Sequence, residues 1–206
     1  MCGLLLVGCA GPTGRVHHDD FGSGPLSAQS GGGNSSVYAP KKKPWYANWG
    51  DFLLCAREAG DEIVLQSVVY EVDPEPLEVK TYLRTVRPDE IKFNDDGTPS
   101  DESLPFISAE GRPPAFNYGE PQAGTFTSRV KGHRITQSCK DVDDREANGY
   151  TALVVAMKVG EQGGRIPTAS INYTVNGREY ALDLEWAMTG CGTKTTTPRE
   201  LCEGGR

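Results

Sequence analysis

Ile171-Asn172-Tyr173-Thr174-Val175-Asn176-Gly177-Arg178-Glu179-Tyr180-Ala181-Leu182-Asp183-Leu184-Glu185-Trp186 is the stretch on which the fold turns. Asn-Gly readily takes the positive φ pair of a type I′ turn, whose twist suits two antiparallel strands. Closing a two-residue loop there sets Val175 opposite Arg178, Tyr173 opposite Tyr180 and Ile171 opposite Leu182. The same parity puts Ile171, Tyr173, Val175, Tyr180, Leu182, Leu184 and Trp186 on one face. Ser170, Asn172, Thr174, Glu179, Asp183 and Glu185 fall on the other. Turn chemistry and the period-two pattern select the same register, because a one-residue slip would turn the whole apolar set to solvent.

Outward from this hairpin the pattern stays β. Residues 150–159, Tyr-Thr-Ala-Leu-Val-Val-Ala-Met-Lys-Val, predict a further strand that completes a meander. Residues 62–72 and 77–86 are rich in β-branched residues and are separated by Asp73-Pro74-Glu75-Pro76, so they read as neighbouring antiparallel strands. Phe52-Leu53-Leu54-Cys55 is a short buried run, and the aromatic cluster Trp45, Tyr46 and Trp49 is expected to open the folded domain and pack its edge. From Arg87 to Gly124 the chain is acidic and Pro-rich. Roughly forty residues without periodicity exceed an ordinary connection, and such loops carry function or are disordered. Phe93, Phe106, Ile107, Phe116 and Tyr118 argue against full disorder, so a binding surface is sought here first. Many short strands, frequent turns and no helical period of comparable length predict an all-β antiparallel β-sandwich with a long acidic Pro-rich loop. Over roughly residues 48–203 this pattern resembles the immunoglobulin-like domains of secreted bacterial proteins. No Tyr stands two positions before Cys139, Cys191 or Cys202, so a tyrosine corner is missing.

The 206 residues carry a formal charge of −7, which opposes nonspecific attraction to nucleic acid or anionic lipid. No apolar run approaches the ~18 residues of a spanning helix. The 25 Gly and 14 Pro concentrate in the loop, the turns and the segment from Ala10 to Pro44. That segment, with its Gly-Ser-Gly-Pro and Ser-Gly-Gly-Gly-Asn-Ser-Ser stretches, has too little apolar surface to offset chain entropy and is expected to be a flexible tether. At about 35 residues it would span on the order of 30–35 Å.

Leu6-Val7-Gly8-Cys9, after an apolar run and before Ala10, resembles the lipobox of bacterial lipoproteins. The resemblance implies a diacylglycerol thioether on Cys9, cleavage before it, and a membrane partner on the extracytoplasmic face. Only eight uncharged residues precede Cys9, fewer than the ~15–30 of a secretory signal, so a start site upstream of Met1 is expected. The expected organisation is a signal remnant at 1–8, a lipidated Cys with its tether at 9–44 and a β-sandwich domain at 45–206. Once Cys2 is removed and Cys9 acylated, Cys55, Cys139, Cys191 and Cys202 remain, an even number suited to two disulfides in an oxidising compartment. Cys191 with Cys202 is the shortest loop to close and would leave Cys55 with Cys139. The crossed pairings stay open, because spacing does not decide connectivity.

Catalytic resources are sparse. No Gly-x-Ser-x-Gly elbow, phosphate loop or His-Glu-x-x-His pair occurs, and His133 is the one histidine within residues 45–206. His17-His18-Asp19-Asp20 has metal-ligand types without fixed geometry. Asp141-Val142-Asp143-Asp144-Arg145-Glu146 has a calcium-loop composition, but Arg145 stands where an oxygen ligand belongs. Asn172-Tyr173-Thr174 fits a glycosylation sequon that strand alternation already explains. No catalytic residue, metal site or cofactor is therefore expected. The leading expectation is a lipid-anchored binding domain meeting a protein or cell-wall ligand, with no nucleic-acid partner. The alternatives are a secreted sandwich hydrolase using carboxylates of the acidic loop and a non-lipidated soluble binding protein.

Overall fold

A computed structural model describes residues 14–38, 44–116, 121–195 and Cys202. In chain order its strands are β1 (Val16–Asp19), β2 (Leu26–Ser27), β3 (Gly33–Val37), β4 (Trp45–Leu53), β5 (Cys55–Ala56), β6 (Ile63–Tyr70), β7 (Glu78–Val86), β8 (Ala109–Arg112), β9 (Ala115–Phe116), β10 (Thr125–Thr127) and β11 (Arg134–Ile135). Two short helices follow, α1 (Cys139–Asp143) and α2 (Arg145–Asn148), and then β12 (Tyr150–Val159), β13 (Gly164–Ile166), β14 (Ala169–Val175), β15 (Arg178–Leu184) and β16 (Trp186–Gly190). Asn176 and Gly177 take φ of 50° and 78°, as a type I′ turn requires. Val175, Tyr173 and Ile171 pair with Arg178, Tyr180 and Leu182, the register that the alternation demands.

One sheet has the order β1-β15-β14-β6-β11 and the other β10-β7-β12-β4-β8-β9, with a three-stranded sheet β13-β16-β3 and a ribbon β2-β5 beside them. The protein is therefore mostly β, with a sandwich-like arrangement of several sheets. Ile63, Leu65, Ile171, Tyr173, Leu182 and Leu184 of the first sheet join Trp49, Leu83, Leu153, Val155 and Met157 of the second in one core. β12 shows no polar alternation because both its faces are covered. Leu153, Val155, Met157 and Val159 enter that core, whereas Tyr150 and Ala152 enter a second cluster with Leu53, Cys55, Val86 and Val142 of α1. Cys55–Cys139 ties β5 to α1 at this second cluster, and Cys191–Cys202 closes the C-terminal loop.

Four expectations are corrected. Residues 62–72 and 77–86 are not partners: β6 pairs with β14 and β11, and β7 with β12 and β10. The Asp73-Pro74-Glu75-Pro76 segment carries the chain from one sheet to the other, held by Asp73 N–H to Arg165 O and Arg165 N–H to Pro74 O. β12 does not extend a meander with β14; it lies in the opposite sheet between β7 and β4. Trp45 and Trp49 are not edge aromatics, since β4 is an interior strand and both indoles are buried. Finally, residues 16–37 are not a tether. β1 adds in parallel to β15, and β3 in parallel to β16, so backbone pairing supplies what the sparse apolar residues cannot. Leu26, Ala28 and Val37 suffice to bind the segment to the core.

The turn between β1 and β2 is built on Asp20, whose side chain is 3% exposed. Its Oδ1 accepts from Ser27 Oγ (2.8 Å) and Ala28 N–H (2.9 Å), and its Oδ2 from Ser30 N–H (2.6 Å) and Ser30 Oγ (2.9 Å). Arg57 Nη2 lies 3.4 Å from Oδ1. Burial alone would raise this carboxyl, but the bonds from Ala28, Ser30 and Ser27 prevail and hold it below its ordinary value.

Candidate binding cleft

The outer face of the second sheet carries Arg84 on β7, an arginine with no exposed surface. Among the described residues no carboxylate pairs with it. Its guanidinium instead donates from Nε to Ala123 O (2.9 Å), from Nη1 to Leu104 O (2.7 Å) and from Nη2 to Glu102 O (2.7 Å). The rings of Phe126 and Tyr150 flank it, with centroids 5.9 and 5.6 Å from Cζ, which is cation–π range. Burial holds the Arg84 pKa below its ordinary value. Spreading the charge over three carbonyl dipoles and two ring faces makes an uncompensated cation tolerable there.

Tyr150 adds a second pin. Its phenol donates to Ser103 O at 2.8 Å, and burial pushes its pKa up to about 12. Ser103 Oγ accepts from Lys92 N–H at 2.8 Å. Phe106 lies over Gly50, so close that a Cβ on Gly50 would come within 2.5 Å of the ring, and Gly50 N–H donates to Phe106 O at 3.1 Å. A glycine is thus required in β4 at this close approach. The return strand is joined by Ala123 N–H to Glu102 O at 2.8 Å.

These pins leave a solvent-open cleft of about 680 Å³, within the ~300–1,000 Å³ range of small-ligand sites. Leu104, Pro105 and Phe106 form its apolar side, and Asn94, Ser100, Asp101, Glu102 and Gln122 supply polar groups. Lys92 Nζ engages Glu102 Oε1 at 2.9 Å. Asn94 Nδ2 donates to Thr98 Oγ1 at 3.1 Å. Gln122 Oε1 is buried and accepts no hydrogen bond from the described residues, an unmet acceptor at the wall of a cleft.

The other residues singled out by sequence lie elsewhere. Cys9 is outside the described residues. Cys55, Cys139, Cys191 and Cys202 are all in disulfides. His17 and His18 diverge: His17 Nδ1 pairs with Asp183 Oδ2 at 3.0 Å, while His18 donates from Nδ1 to Asp19 O and its Nε2 is hydrogen-bonded to the Tyr173 phenol at 2.6 Å. Asp141 caps α1, its Oδ2 accepting from Ser138 N–H and Oγ, and Asp143 Oδ1 accepts from Gln29 Nε2. Half-buried His133, lowered in pKa by burial, precedes β11. No group of three or more His, Cys, Asp or Glu placed to share a metal occurs among the described residues. No described helix is long and apolar enough to cross a membrane.

Sequence pointed to the loop but not to Arg84, Tyr150 or Gly50. A faint signal existed for the first, a charge set between Leu83 and Val86 beside Thr85 in a strand end. Comparison with protein-family models, curated proteins and solved structures found no match.

Proposed function

We propose that this chain is a lipid-anchored, extracytoplasmic binding domain with an immunoglobulin-like sandwich architecture, its ligand held in the cleft of the 87–124 loop. The observation that carries the proposal is the cysteine pattern. All four cysteines after Cys9 are in two disulfides, the arrangement of an oxidising compartment. The remaining pair lies in or beside the lipobox-like Leu6-Val7-Gly8-Cys9. Six residues lie between Cys9 and Val16 at the start of β1, so the anchor would stand no more than about 25 Å from the domain. A hydrolase would need two available carboxyls across the cleft, and of the two here Glu102 is held by Lys92.

Metabolic labelling with a clickable fatty acid tests the anchor, using the gene with its upstream codons. Label is expected on the native protein and absent from Cys9→Ala. Equal absence of label from both would end the proposal.

A further inference from the structure

We infer that the cleft takes a neutral, hydroxyl-rich ligand, a saccharide. The inference rests on the binding-domain reading and names the ligand class of that site. Three observations converge on it. Gln122 Oε1 is a buried acceptor without a partner among the described residues, and the neighbouring Asp101 carboxylate enters no ion pair among them; both call for O–H or N–H donors. An apolar chain would leave the Gln122 acceptor unmet and would strip water from the exposed Asp101 carboxylate, at the desolvation cost of that charge. An anion would meet Asp101 and Glu102, with one lysine already committed to the second. A sugar ring instead offers hydroxyls along its edge and C–H groups on its faces, and the latter fit Leu104, Pro105 and Phe106.

The walls are also fixed in advance. One guanidinium, that of Arg84, binds carbonyls on both sides of the loop, Glu102 and Leu104 on one arm and Ala123 beside Gln122 on the other. The cleft therefore holds its spacing before a ligand arrives, which lowers the ordering cost of weak polar contacts.

The test is an NMR titration of the isotopically labelled full chain with chitotetraose, cellotetraose and maltotetraose, with spermidine as the cationic probe. Saturable shifts of the Gln122 and Asn94 side-chain amides by at least one tetrasaccharide are expected. Affinity should fall about tenfold in Gln122→Ala and in Asp101→Asn, and should be unchanged in Gln66→Ala, on another sheet. No shift with any of the three sugars overturns the inference. Shifts by spermidine alone also overturn it, while leaving the cleft a binding site. Fatty-acid labelling at Cys9 is read separately, so an anchored protein with a sugar-inert cleft loses the ligand class and keeps the anchor.

Discussion

Three residues hold positions that single substitutions expose. Asp20 accepts hydrogen bonds from Ser27, Ala28, Ser30 and Arg57, which fasten the segment from β1 to beyond β2. Its folded pKa lies below the unfolded one, so its stabilisation is complete above about pH 4 and is lost as pH falls through the folded value. Asp20→Asn is expected to cost about 2–3 kcal/mol at neutral pH, with the difference from the native chain shrinking below pH 4 in urea titrations at stepped pH. Arg84→Met removes three donors, leaves the carbonyls of Leu104 and Ala123 without those bonds in a covered site, and leaves Glu102 O with the bond from Ala123 N–H. A loss of about 2–4 kcal/mol is expected, with faster amide exchange confined to residues 92–123. Arg84→Lys should recover little, because an ammonium cannot reproduce the guanidinium fork. Gly50→Ala should move Phe106 off β4 and cost about 1–3 kcal/mol, visible as altered Gln122 amide shifts.

At the scale of elements, the 171–186 hairpin was legible because turn chemistry and alternation agree. The segment before β4 was not. β1 and β3 are held by parallel backbone ladders to β15 and β16, and a ladder leaves no mark on side-chain composition. Gly33, at φ 150° with a Cβ position 2.9 Å from the Trp186 ring, is there for close approach and not for flexibility. Sequence pairs β6 with β7 and the structure does not, because a Pro-bearing turn looks alike whether it returns within a sheet or crosses between two. The cleft was legible only as a place, the acidic loop. Its organiser, Arg84, acts through carbonyls, and carbonyls are the same at every residue. If the N-terminal segment is part of the fold, a chain beginning at Lys41 should unfold at lower temperature and self-associate through the bared edges of β15 and β16. Sedimentation and thermal melts would show this; an unchanged melt would restore the tether.

For the whole molecule, the two cross-links close loops of very different length, with sequence separations of 84 and 11. Loop-closure entropy assigns about 4–5 kcal/mol to the first and about 3 to the second. Reduction should therefore destabilise the fold mainly through Cys55–Cys139, which also carries the second core cluster. In the proposed reading the same two bonds place the fold in an oxidising compartment, and a lipid on Cys9 would anchor it to a membrane surface. A non-reducing peptide mass spectrum of native protein taken from its membrane fraction tests both at once. A lipid-anchored, disulfide-linked chain is expected to show Cys55 joined to Cys139, Cys191 joined to Cys202, and an N-terminal peptide beginning at Cys9 with a diacylglyceryl mass. Four unpaired thiols on a chain with an unmodified Cys9 would contradict it.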